Sequence, residues 1–80
     1  MSLDGTVALN NYLQSKNQHS LVSWVDTTSG PRHAPEWTST CKFNGEVIGV
    51  GQGAQKHVAR DAAAKAALEV LTQQAAANDE

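Results

Sequence analysis

The pair Asn44-Gly45 constrains this chain more than any other feature, because it stands between two runs that read as strands. Both residues tolerate the positive φ that a two-residue hairpin turn demands. Before the pair, Trp37, Ser39, Cys41 and Phe43 alternate with Thr38, Thr40 and Lys42. That period of two sends successive side chains to opposite faces of a sheet. After it, Glu46 to Val50 reads as the returning, antiparallel strand. Upstream, Leu21 to Thr27 carries the β-rich residues Val22, Trp24, Val25 and Thr27 and predicts a third strand. Ser29-Gly30-Pro31-Arg32-His33-Ala34-Pro35 between them must be a loop, since its two prolines lack amide donors and fix φ.

Both ends of the chain change period. From Asp4 to about Ser15, Leu9, Tyr12, Leu13 and the Lys16 stem recur at helical spacing and predict one buried face, with Asp4 or Thr6 as cap. Val7, Asn10, Asn11 and Gln14 repeat that spacing on a second, mostly polar face. Asn17 to Ser20 is a polar break. A longer helix is expected from about Ala54 to Gln74, because alanine gives up almost no side-chain entropy there. Ala59, Ala62, Ala63, Ala66, Ala67, Val70 and Leu71 form its apolar stripe, and their small size would let the helix lie close to a sheet. The predicted fold is α+β, in the order α-β-β-β-α. A three-stranded antiparallel sheet carries two helices packed on one face. One domain spans residues 4-74, and residues 75-80 are expected to form a disordered tail.

Eighty residues leave no room for a second core. No apolar run approaches the roughly 18 residues a membrane span needs, and no export signal opens the chain. Cys41 is the single cysteine, so no disulfide braces the fold, which suits a reducing cytoplasmic or nuclear setting. His19, His33, His57 and Cys41 show no paired-ligand spacing, so no metal or other cofactor is expected. Asp26, Glu36, Glu46, Asp61 and Glu69 are singly scattered, which does not suit magnesium-dependent hydrolysis. No spacing of Ser, His and Asp suggests a triad, and the chain reads as a non-enzyme without a small-molecule substrate. Gly49-Val50-Gly51-Gln52-Gly53-Ala54 satisfies a dinucleotide-binding pattern, but that pattern belongs to a parallel βαβ unit. Following an antiparallel hairpin, it reads instead as a flexible turn that opens the helix amides towards an anion.

Three segments taken together resemble the double-stranded-RNA-binding domain family. Ala8-Leu9-Asn10-Asn11-Tyr12-Leu13-Gln14 is similar to the family's first helix, and Gly30-Pro31-Arg32-His33-Ala34-Pro35-Glu36-Trp37 to its loop entering a strand. Lys56-His57-Val58-Ala59-Arg60, followed by Ala62-Ala63 and Ala67-Leu68, is similar to its second helix. The resemblance implies binding of double-stranded RNA by shape, with little sequence preference, across two minor grooves and the intervening phosphates. Val7, Asn10, Asn11 and Gln14 would face one minor groove, and His33 the other, with Arg32 near a phosphate. Lys56, His57 and Arg60 would straddle the phosphates between.

Composition pulls against a strong grip. Six Lys and Arg against eight Asp and Glu give a net charge of −2, where an RNA binder is expected to be basic. His57 stands where the family's pattern has lysine, and a histidine is mostly uncharged at neutral pH. Modest affinity follows. The 56–60 cluster also reads as a solvated helix face, His33 as a plain loop residue, and Trp24 and Trp37 as core. The rival reading is a protein–protein or homodimerisation module on the same fold, which His57 and a body that is neutral once the terminal Asp79 and Glu80 are set aside favour, and which the joint presence of Arg32, His33, Lys56 and Arg60 disfavours.

Overall fold

Asn44 and Gly45 adopt φ values of 55 and 86, the left-handed pair that lets a two-residue turn follow the twist of its strands. In a computed structural model of the chain, residues 4–78 are described, with side chains described for residues 5–74. Their order is α1 (Asp4–Ser15), a 3-10 turn (His19–Leu21), β1 (Val22–Ser29), β2 (Glu36–Phe43), β3 (Glu46–Gly53) and α2 (Lys56–Asn78). The sheet is antiparallel in the order β1-β2-β3, so the α-β-β-β-α architecture expected from sequence is the one observed.

α1 ends as its sequence allows. Asn17 takes φ 58, its amide donates to the Gln14 carbonyl, and the Gln18 amide reaches back to the Leu13 carbonyl at 2.8 Å. This paired closure satisfies two carbonyls that a helix end otherwise orphans. Its start corrects one of the two expected caps. Thr6 lies inside the first turn, and its Oγ1 is buried without a hydrogen-bond partner. The Asp4 side chain lies outside the described residues. Asp61 of α2 supplies an acceptor to the first amides of the helix. Its Oδ1 accepts from the Gly5 amide at 2.7 Å and from the Thr6 amide at 3.3 Å.

The core is built from small side chains. Leu9, Leu13, Cys41, Ile48, Ala63, Ala64, Ala67 and Leu71 are buried together, with Tyr12, Val22, Trp24 and Phe43 packed around them. Lys16 is exposed rather than buried, its ammonium 5.5 Å from the Tyr12 ring centroid. Ala59, Ala63, Ala67 and Leu71 recur every four residues along one side of α2. Asp61, Ala64 and Leu68 mark the side that meets α1, as the Gly5 contact shows. With two neighbours to serve, the buried surface departs from the expected stripe: Ala62 is exposed and Ala64 buried.

The glycine-rich segment is a strand, not the flexible turn expected. β3 continues through Gly53, with Gly51 paired to Ser39 and Gly53 to Trp37. α2 lies so close that a Cβ on Gly49 or Gly51 would strike the backbones of Ala59, Ala63 and Ala67. Alternate glycines on the strand and alanines on the helix thus form one tight seam. A register shift opposite Cys41 and Lys42 makes a bulge at Ile48, so Ile48 and Gly49 are both buried where strict alternation would expose one. The helix backbone runs past Gln74 to Asn78, and residues 79 and 80 of the expected tail lie outside the described residues.

Candidate nucleic-acid interface

The same periodicity that buries Leu9 and Leu13 turns Val7, Asn10, Asn11 and Gln14 outward, and all four are exposed. The face carries three amide side chains, able both to donate and to accept, around one exposed valine. Arg32 and His33 are exposed in the β1–β2 loop, which Gly30 enters at φ 91. The Ala34 amide donates to the Pro31 carbonyl at 3.0 Å and closes a turn there. Two prolines and this turn narrow the backbone conformations open to the loop.

Register fixes where the third group sits. Trp37 pairs with Thr28 on one side and with Gly53 on the other, so the loop and the start of α2 share one end of the sheet. Lys56 and His57 are exposed in the first turn of α2, which begins where the Ala59 amide donates to the Gln55 carbonyl. The amides before that bond have no partner within the helix and carry partial positive charge.

Arg60 sits one turn further on and differs from its neighbours. Its Nε donates to Asp26 Oδ2 at 3.1 Å and its Nη2 to the same oxygen at 2.7 Å. The guanidinium stacks over the Trp24 ring, 5.1 Å from the centroid. Ser39 Oγ donates to Asp26 Oδ1 at 2.6 Å and holds the carboxylate from the other side. The Arg60 hydrogen bond is the main reason the Asp26 carboxyl lies below its ordinary pKa, and burial opposes it. The same bond raises Arg60. Lys56 also adds a favourable field at Asp26. The three residues expected to form one basic cluster therefore divide: Lys56 and His57 present themselves to solvent, while the charge of Arg60 is compensated by a carboxylate.

Two acids that look scattered in the sequence thus have defined partners, Asp26 with Arg60 and Asp61 with the α1 amides. A signal for the first was available. Val22, Trp24 and Asp26 fall on alternate positions, so the period that turns Trp24 inward also turns Asp26 inward, where a carboxylate needs a cation. Trp24 and Trp37 are each half-buried, and Trp24 packs against the core. Among the described residues, three or more His, Cys, Asp or Glu side chains do not gather at one place, and no helix is long and apolar enough to cross a membrane.

Comparison with known proteins gives one consistent answer. A ribonuclease 3 of Streptococcus thermophilus is 38% identical over 69 residues, which cover 86% of this chain and 30% of that protein. A ribonuclease 3 of Roseiflexus is 46% identical over 43 residues, 54% of this chain and 18% of the relative. The chain therefore spans less than a third of the length of these relatives. The solution structure of both dsRBDs of DRB4 with their linker aligns at TM-score 0.66 and 32% identity, covering 88% of this chain and 45% of that one. The structure of DRB4 dsRBD2 alone aligns at TM-score 0.61 and 35% identity, covering 81% of this chain and 90% of that one. Residues 8–71, most of the chain, match the family described as the double-stranded RNA binding motif, and the chain belongs to that family.

Proposed function

We propose that this domain binds double-stranded RNA through three separate surfaces, reading A-form shape rather than sequence. The observation that carries the reading is the exposure of every candidate contact on the two helices and the loop, apart from the half-exposed Arg60. Val7, Asn10, Asn11 and Gln14 would lie along one minor groove, where amide groups can exchange hydrogen bonds with 2′-hydroxyls. His33 would enter the next minor groove with Arg32 beside it, and Lys56, His57 and Arg60 would lie over the phosphates between. Family membership supports the ligand class. The role is binding, and no bond-making step is assigned to any residue.

The grip is modest. A net charge of −2 and a compensated Arg60 leave Lys56 and Arg32 as the principal full charges facing the backbone. Each phosphate contact contributes roughly 0.9 to the slope of log K against log salt, so two such contacts give an expected slope of about −2. The test is a titration of a roughly 20-base-pair RNA duplex and its DNA counterpart at two salt concentrations. RNA bound clearly more tightly than DNA, with Lys56→Ala shallowing the slope by about one, is the expected result. Equal affinity for both duplexes would overturn the reading of A-form shape, and no binding of either would overturn the proposal in favour of a protein-only module.

A further inference from the structure

We infer that Asp26 sets the strength of this RNA face by compensating the charge of Arg60, which makes Asp26 a positioning residue that attenuates binding. The inference rests on the function proposed above and adds a residue outside the contact set expected from sequence. Arg60 is held by two neighbours, one of them itself held in place. Its Nε and Nη2 both donate to Asp26, at 3.1 and 2.7 Å. Trp24 lies against its flat side. The carboxylate is itself tethered by the Ser39 hydroxyl on the neighbouring strand. A guanidinium held in this way cannot swing outward without leaving a half-buried carboxylate unpaired, since the Asp26 side chain is only 13% exposed and that of Arg60 37%.

The electrostatic consequence is direct. A phosphate approaching the first two turns of α2 meets the full charge of Lys56, and beyond it a pair that sums to zero. Phosphate contact with the remaining donors of Arg60 would bring a second anion within a few ångströms of Asp26, and like charges at that distance repel. Substituting Asp26 by Asn keeps an oxygen to accept from Ser39 while removing the negative charge and the Oδ2 acceptor that takes both Arg60 donors. The guanidinium then becomes a full cation one turn from Lys56, available to a phosphate in the forked geometry that arginine favours.

The experiment compares the parent chain, Asp26→Asn, Asp26→Thr and Asp26→Asn combined with Arg60→Gln, each titrated with the 20-base-pair duplex across a salt series. Threonine suits a strand position, so it serves if the asparagine variant folds poorly. Tryptophan near-ultraviolet dichroism confirms folding of each variant through Trp24. The expected result is binding tightened roughly three- to tenfold by either Asp26 substitution, with the salt slope steeper by about one. Adding Arg60→Gln should remove both gains. A purely structural ion pair would not steepen the slope. Folded Asp26 variants that bind no tighter than a binding-competent parent would overturn this inference and leave the proposed function standing. Absence of duplex binding by the parent and by every variant would overturn both.

Discussion

Asp61→Ala tests how α1 is held to the rest of the molecule. Asp61 is 7% exposed, and its Oδ1 is the acceptor for the Gly5 amide at 2.7 Å and the Thr6 amide at 3.3 Å. Alanine leaves a buried amide without a partner, which costs about 1–3 kcal/mol, and removes a helix cap worth about 0.5–2 kcal/mol. These overlap, so the expected loss is about 2–4 kcal/mol. The Lys65 contact at 3.5 Å contributes little, since that side chain is 66% exposed. For 80 residues the whole folding free energy is on the order of 4–12 kcal/mol, so this substitution consumes a large share of it. The melting temperature should fall by roughly 10–25 °C. Asp61→Asn keeps one acceptor but loses the negative charge at the helix start, and should cost about 1 kcal/mol. Urea unfolding followed by tryptophan fluorescence measures both. A loss under about 1 kcal/mol for the alanine variant would show that water caps α1 equally well, and would refute the reasoning.

Gly51→Ala should cost about 2–3 kcal/mol in the same assay, because the added methyl meets the backbones of Ala59 and Ala63, which cannot turn aside. Gly45→Ala meets nothing within 4 Å and should cost only the left-handed backbone strain, about 1–2 kcal/mol. Burial pushes the Cys41 thiol up from 9.0 to about 11, so the folded chain keeps a proton that the unfolded chain releases. Stability should therefore fall as pH rises between about 9 and 11, and Cys41→Ala should flatten that decline in alkaline melts. At pH 8 a thiol reagent should label Cys41 only after unfolding. Asp26 runs the other way. Its folded pKa lies below the ordinary 3.8, so its contribution is fully present above that value and is lost as pH falls beneath it. Asp26→Asn should lose part of that acid-side decline in melts taken as pH falls below 3.8.

The hairpin turn and its first strand were legible, because turn chemistry and a period of two are local properties that Asn44-Gly45 and residues 37–43 display by themselves; the bulge at Ile48 and the run of β3 on to Gly53 were not. The exposed stripe of Val7, Asn10, Asn11 and Gln14 was legible for the same reason, as the complement of a buried helical face. The α2 stripe was legible only in part. Its period marked Ala59, Ala63 and Ala67, but a helix with two neighbours buries two sides, and nothing local says that Ala64 goes in while Ala62 stays out.

What tertiary structure alone decided depends on contacts between residues far apart in the chain. Gly51 and Gly53 look like punctuation in sequence; pairing with Ser39 and Trp37 makes them strand, and the close approach of α2 explains why they carry no side chain. Asp61 and Gly5 are separated by 56 positions, so no window of sequence reveals that one caps the other. Arg60 and Asp26 stand 34 positions apart, and their pairing turns a predicted cation into a neutral pair. Residue type fixed which charges the chain carries. Only the folded register decided which of them remain available to a ligand, because a charge is cancelled by whatever lies within a few ångströms of it.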